Sequence, residues 1–133
     1  LFINQDYHGI YILMEKIKQD NSRVDIDKID NDDNFGDSLT GGYIVKLDWP
    51  DNGSTFDWHS PVTYYNGTYL NLNYQYDYPD REDITYQQED YIENNVAAFE
   101  LALIGNNFIN IQQGYRKYID VHSFIDNFIR NTQ

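Results

Sequence analysis

Two lysines, each close to a carboxylate, are the residues whose types and positions best suit the binding of an anionic ligand. Lys16 follows Glu15, and Lys46 precedes Asp48 by two residues, in a chain that has only 9 lysines and arginines. Phosphoryl transfer uses lysines to pair with nucleotide phosphates, and carboxylates to orient them or to hold a metal ion. The four charges can also be solvent-exposed groups that pair across neighbouring strands, and the residues by themselves favour this second interpretation.

The aspartate-rich stretch 24–42, VDIDKIDNDDNFGDSLTGG, is a candidate calcium site. An EF-hand loop needs oxygen ligands at positions 1, 3 and 5, a glycine at position 6 and a bidentate glutamate at position 12. The best frame begins at Asp30, and it places Phe35 at the glycine position and Gly41 at the glutamate position. The spacing therefore favours a solvated loop between two strands, and weak calcium binding through another geometry stays open.

Composition and charge exclude several classes of partner. The formal net charge of −13 repels phosphate backbones and anionic lipid, so we expect neither nucleic acid nor a membrane surface as a partner. The chain lacks cysteine and any apolar run of 18 residues, which excludes disulfides and predicts no membrane span. His8, His59 and His122 are not spaced as zinc ligands, so no residue is assigned to a metal. Nothing in the sequence indicates an oligomeric state.

Short strands and turns are predicted for the first half of the chain. Residues 1–17 contain two apolar runs around a polar, glycine-containing break at 5–9, which predicts a β-hairpin. Residues 41–49, GGYIVKLDW, predict a further strand by their alternation. The segment 50–61 is rich in Pro, Gly, Asn and Ser, and it is therefore predicted to be a loop.

A second hairpin and an amphipathic strand are predicted next, which places all strands within residues 1–78. Asn66-Gly67 lies between residues of high β-propensity and is a strong hairpin signal. In residues 70–78, leucines and tyrosines alternate with polar residues such as Gln75 and Asp77. This pattern predicts one apolar face and one face in contact with water.

Two helices, at about 85–104 and 121–131, are predicted where the hydrophobic period changes to 3.6. Thr85-x-x-Gln88 is a capping-box signature, and Gly105 can end the first helix. The second helix is predicted to bury a stripe formed by Val121, Phe124, Ile125, Phe128 and Ile129. Strands followed by helices predict an α+β fold, a mainly antiparallel twisted sheet followed by two helices, in one domain of residues 1–133.

The order of the motifs resembles the CotH kinase family, which is named for a spore-coat protein. The motifs are FINQDYHGIYILMEKI, RVDIDKIDNDDNFGDSLTGGYIVKLD, YDYPDREDITYQQEDYIENNVAAFELAL and GYRKYIDVHSFIDNFI, and together they cover nearly the whole chain. The resemblance implies the incomplete front part of an atypical kinase-like domain. The Asn-x-Asp and Trp-Asp-Phe-Asp-like segments of the family are expected beyond Gln133, so no catalytic residue is assigned within the chain.

The resemblance also implies an activity for a full-length parent. It implies transfer of phosphate from ATP, with Mg²⁺, to serines of secreted or coat proteins, at the cell surface, in the medium or on a spore coat. It brings an ATP-binding role for Glu15, Lys16, Lys46 and Asp48 level with the cross-strand interpretation. The 133 residues alone are expected to be inactive, because the later aspartates are absent.

A different class of function is also consistent with the residues. Trp49, Trp58 and the tyrosine-rich strands are able to form an aromatic face of a carbohydrate- or protein-binding module without catalysis. In a two-layer domain, however, we expect most of these tyrosines to pack against the helices. A kinase-like scaffold that has lost activity and serves in adhesion or assembly is a third interpretation.

Overall fold

The computed structural model describes residues 2–10, 17–49 and 55–131, and it confirms the α+β fold. The described strands are short and antiparallel, and the two longer helices follow them. The elements are β1 (Phe2–Ile3), β2 (Asp6–Tyr7), α1 (Gly36–Leu39), β3 (Ile44–Lys46), β4 (Trp58–His59), β5 (Tyr64–Tyr65), β6 (Thr68–Tyr69), β7 (Asn73–Tyr78), α2 (Tyr86–Ile104), a 3₁₀ turn (Tyr115–Lys117) and α3 (Val121–Asn131). Within the described ranges, no helix is long and apolar enough to cross a membrane.

The central sheet has the strand order β3-β7-β4, with β7 in the middle. Lys46 on β3 lies opposite Gln75, and Trp58 on β4 lies opposite Tyr74. Because side chains alternate along a strand, Tyr74 and Tyr76 project to one face of β7 while Gln75 projects to the other. The first face packs against α2, and the second carries Lys46 and Gln75.

The core is aromatic and lies between the central sheet and α2. The Trp58 ring stacks on Tyr74 at 4.9 Å between centroids and contacts Tyr76 at 4.8 Å. Ile92 and Val96 of α2 pack against this cluster. Tyr74 and Tyr76 of β7 therefore cover the helix, as the sequence predicts, whereas Tyr64, Tyr65 and Tyr69 of β5 and β6 are exposed.

Two predictions for this region were wrong. The segment 50–61 was predicted to be a loop, but its residues Trp58 and His59 form β4 and Trp58 is buried. A two-residue strand is too short to show a period, and the burial of a large indole outweighs the loop composition around it. Gln75, which the alternation places on a face in contact with water, is only 8% exposed. Burial on that face depends on neighbouring segments that a single-strand pattern does not reveal.

The two predicted hairpins have different outcomes. The Asn66-Gly67 turn is confirmed, since it joins β5 to β6 with positive φ at both residues. The N-terminal hairpin turns at Asn4 and Gln5, so β2 occupies part of the break predicted at 5–9. The predicted second run of that hairpin falls mainly on residues 11–16, which lie outside the described residues.

The apolar stripe of α3 is exposed, which contradicts its predicted burial. Phe124 and Phe128 are 55% and 62% exposed, and Ile125 and Ile129 are 47% and 49% exposed. Val121 is half-buried. The helix has the period of a buried face, but the period by itself does not say which surface that face packs against.

Candidate functional site

The capping box of α2 is confirmed, and it also holds the acidic stretch in place. The Thr85 backbone N–H donates to Gln88 Oε1 at 3.0 Å, and the Gln88 backbone N–H donates to Thr85 Oγ1 at 3.4 Å. Gln88 Nε2 then donates to the carbonyl oxygens of Asp30 at 2.8 Å and Asp33 at 3.2 Å. The start of α2 is thereby joined to a loop more than fifty residues earlier in the chain.

The acidic stretch leads into β3 through a close backbone approach. Gly42 has φ +63°, and a Cβ atom there would lie 1.9 Å from the carbonyl oxygen of Asp27. The Ile29 amide donates to the hydroxyl of Tyr78 at 3.1 Å, and Ile29 is buried. These contacts give the Thr-Gly-Gly motif a packing role. Among residues 2–10, 17–49 and 55–131, no three His, Cys, Asp or Glu side chains are grouped so as to hold a metal ion.

An open cleft lies beside the part of β7 that β4 does not pair. It is lined by Lys46, Thr55, Asp57, Gln75, Tyr76, Asp80, Arg81 and Glu82. Two cations and three carboxylates therefore border one depression. The two cations of this cleft can hold an anion.

Lys46 is one of the predicted site residues, and the structure places it in this cleft. Its Nζ lies 3.3 Å from Asp77 Oδ1 on β7, and its side chain is 40% exposed. This pair is the cross-strand interaction that the sequence offers as the alternative to phosphate binding. An ion pair at this exposure contributes little to stability, so an incoming anion can compete for the ammonium at small cost.

Asp48 and Lys46 are not brought together. The Asp48 carboxylate accepts a hydrogen bond from the Trp49 amide at 2.8 Å and lines a separate groove with Trp49, Phe56 and Asn71. β3 ends at Lys46, so the alternation that would put Asp48 on the same face does not continue. Glu15 and Lys16, the other predicted pair, lie outside the described residues.

Arg81 is the cleft residue that the sequence analysis missed. Its guanidinium pairs with Glu89 of α2, its Nε lies 3.7 Å from Asp57 Oδ1, and it lies over the Tyr76 ring at 5.7 Å. Asp57 Oδ2 in turn accepts from the Tyr76 amide at 2.8 Å. No motif marks the position, but an arginine between two acids in a chain with few cations is a signal that could have identified it.

Hydroxyl–carboxylate hydrogen bonds fix α2 to the sheet behind the cleft. The Tyr76 hydroxyl donates to Glu93 at 2.6 Å, and the Tyr74 hydroxyl donates to Glu100 at 2.7 Å. Ser60 Oγ donates to the other Glu100 oxygen at 2.8 Å. Burial, and then the hydrogen bond to a carboxylate, raise the pKa of both tyrosines well above the usual value of 10. The hydroxyls therefore stay protonated and keep donating in neutral solution.

The fold and the cleft define a class: an α+β domain in which lysine, arginine and carboxylates border one depression. When the chain is compared with known protein families, residues 1–133 match the family described as CotH kinase protein, and the chain therefore belongs to the CotH kinase family. Neither the curated proteins nor the solved structures contain a match to it.

Proposed function

We propose that this chain forms part of the nucleotide-phosphate site of an ATP- and Mg²⁺-dependent protein kinase that acts on serines. The observation that carries the proposal is that Lys46 and Arg81 border one cleft in a chain of net charge −13. Membership of the CotH kinase family supports the reaction class. By the same family argument, the protein acts outside the cell, at its surface or on a spore coat.

The two cations have complementary roles in this proposal. Lys46 exchanges Asp77 for a phosphate oxygen, while the planar guanidinium of Arg81 donates two hydrogen bonds to one phosphate group. Arg81 is held by Asp57 and Glu89, so its position is set before the ligand binds. Glu15, Lys16 and Asp48 remain proposed ATP contacts, and each is tested below in the same way as Lys46.

Mg²⁺ fits the oxygen donors of the cleft only together with a nucleotide. Asp57 and Asp80 line the cleft, and Mg²⁺ in such sites takes one or two carboxylates together with substrate phosphates. The residues Asp57 and Asp80 would hold it, and the ion would offset the repulsion between phosphates and the acids of the cleft. Nucleotide affinity should therefore depend on Mg²⁺.

Titration calorimetry with ATP and Mg²⁺ tests the proposal on the chain and on single alanine variants. We expect Lys46→Ala to weaken ATP binding by roughly tenfold, the loss of one charge-assisted hydrogen bond to phosphate, and Arg81→Ala to weaken it by more, because two such bonds are lost. Lys117→Ala is the matched control, since it removes the same charge from the exposed 3₁₀ turn. Unchanged affinity in Lys46→Ala, or equal loss in Lys117→Ala, would refute a specific site.

The remaining proposed contacts and the reaction have their own tests. Lys16→Ala, Glu15→Gln and Asp48→Asn are compared with the wild type in the same titration, and a residue whose change leaves the ATP affinity unchanged is not a contact. Transfer of labelled γ-phosphate to a serine-rich protein tests the reaction, and an alanine-for-serine acceptor is its control. Fractionation of the producing cells tests the location.

A second candidate function rests on one exposed aromatic residue. Trp49 is 84% exposed and lines a groove with Asp48, Phe56 and Asn71. An indole flanked by hydrogen-bonding side chains suits the apolar face and hydroxyls of a sugar ring. Trp58 is buried and takes no part. A glycan array tests this function, and binding that survives Trp49→Ala would contradict it.

A further inference from the structure

Gln75 lines the cleft and carries a buried hydrogen-bond acceptor without a partner among the described residues. The residue is 8% exposed, its Oε1 is shielded from solvent, and no donor from residues 2–10, 17–49 or 55–131 reaches that oxygen. A buried acceptor without a partner costs free energy, and native proteins rarely keep one without a reason. An apolar side chain of the same length would fill the position without this cost. The glutamine is therefore better explained by a ligand than by the packing.

The two cations of the cleft already have partners. Lys46 lies directly opposite Gln75 in the sheet register, but its ammonium is paired with Asp77. Arg81, on the same cleft, is paired with Asp57 and Glu89. Neither cation donates to Gln75 Oε1 in the structure, so a ligand that enters the cleft can supply the donor.

The phosphates and the nucleoside of a nucleotide suit different residues of the cleft. Ionised phosphates offer acceptors, which suit Lys46 and Arg81 but cannot satisfy another acceptor. Donors occur only in the nucleoside part, as ribose hydroxyls and base amino groups. The terminal torsion of a glutamine is soft, so Gln75 can turn its oxygen towards the cleft that the residue lines.

We propose that Gln75 is a specificity-determining residue that accepts a hydrogen bond from a hydroxyl or amino group of the nucleoside. This role rests on the proposed nucleotide site. It predicts that the cleft distinguishes a nucleoside triphosphate from tripolyphosphate, which carries the same phosphates without donors.

The test compares ATP with tripolyphosphate, each with and without Mg²⁺, by titration calorimetry and thermal shift. Gln75→Met keeps the length of the side chain and removes the strong acceptor. We expect ATP to bind this variant roughly three- to tenfold more weakly and tripolyphosphate to bind unchanged. Without ligand, the melting temperature of the variant should be no lower than that of the wild type, because the unsatisfied acceptor has been removed. Gln87→Met, at an exposed position of α2, is the matched control, and Gln75→Leu is a second variant if Gln75→Met does not fold.

The results distinguish the role of Gln75 from the proposed phosphate site on which it rests. A loss confined to ATP supports the role of Gln75. An equal loss for both ligands, or a loss that occurs only with Mg²⁺, would mean that the amide contacts phosphate or metal and would overturn it. An unchanged ATP affinity would also overturn it. If the wild type binds neither ligand, the proposed phosphate site itself fails.

Discussion

Replacement of Gln88 by alanine should detach the acidic stretch from the start of α2. Gln88 is fully buried, and its side chain makes three hydrogen bonds. Alanine removes all three and leaves the Thr85 amide and the carbonyls of Asp30 and Asp33 without these partners. Each net hydrogen bond contributes about 0.5–1.5 kcal/mol, so we expect a loss of roughly 2–4 kcal/mol in the free energy of unfolding. The higher helix propensity of alanine offsets only a few tenths of a kcal/mol.

Thermal denaturation measures the loss of stability, and hydrogen exchange measures the release of the acidic stretch. For a domain of this size, each kcal/mol corresponds to roughly 3–5 °C in Tm, so the midpoint should fall by about 10 °C. The amides of Asp33 and Asn34, which donate within the acidic stretch, should exchange faster in the variant. Gln88→Met keeps most of the volume, and it therefore separates the hydrogen bonds from the cavity.

The neighbouring position supplies the control. Gln87 is exposed on the same turn of the helix, and Gln87→Ala should change the free energy of unfolding by less than about 0.5 kcal/mol. If Gln88→Ala destabilises the protein no more than Gln87→Ala, Gln88 does not hold the loop. If it destabilises without faster exchange at Asp33, the loss is a cavity effect.

Three further predictions concern the core and the backbone. Glu100→Ala should lower the free energy of unfolding by about 2–4 kcal/mol, measured by urea denaturation, because two buried hydroxyls lose their acceptor. Glu100→Gln keeps one acceptor oxygen and should lower it by about 1 kcal/mol. Equal losses in the two variants would contradict this reasoning. Gly42→Ala should destabilise more than Gly36→Ala, since both have positive φ but only Gly42 lacks room for a Cβ, and similar melting temperatures would refute the clash. Tyr74 and Tyr76 have a raised folded pKa, so the stability that depends on their protonated form is complete below pH about 10 and is lost as the pH rises further. Tyrosine absorbance at 295 nm should then rise together with unfolding, and ionisation of all tyrosines near pH 10 in the folded protein would disprove the shift.

Local signals in the sequence predicted local structure well. The capping box joins residues three apart, and the Asn66-Gly67 turn depends on the ability of these two residues to adopt positive φ. The α+β order followed from the change of hydrophobic period near Pro79. The N-terminal turn was missed because Asn4 and Gln5 adopt positive φ without a glycine.

Candidate site residues were harder to predict than the elements that carry them. Lys46 was singled out by its type and strand, but its partner Asp77 lies on a strand about thirty residues later. Arg81 and Gln75 gave no spacing signal, because their positions depend on where β7 passes β3 and the end of β4. The stripe of α3 shows the converse, because its period predicted burial while its side chains are exposed.

The sequence by itself determined the elements whose cause lies within a few residues, and the order of its motifs indicated the family. Only the tertiary structure decided that Trp58 is core, that Gln88 reaches the acidic stretch, and that Lys46, Gln75 and Arg81 border one cleft. The physical reason is range: turns and caps are closed by neighbours in the chain, whereas burial and ion pairing depend on segments that the fold alone brings together.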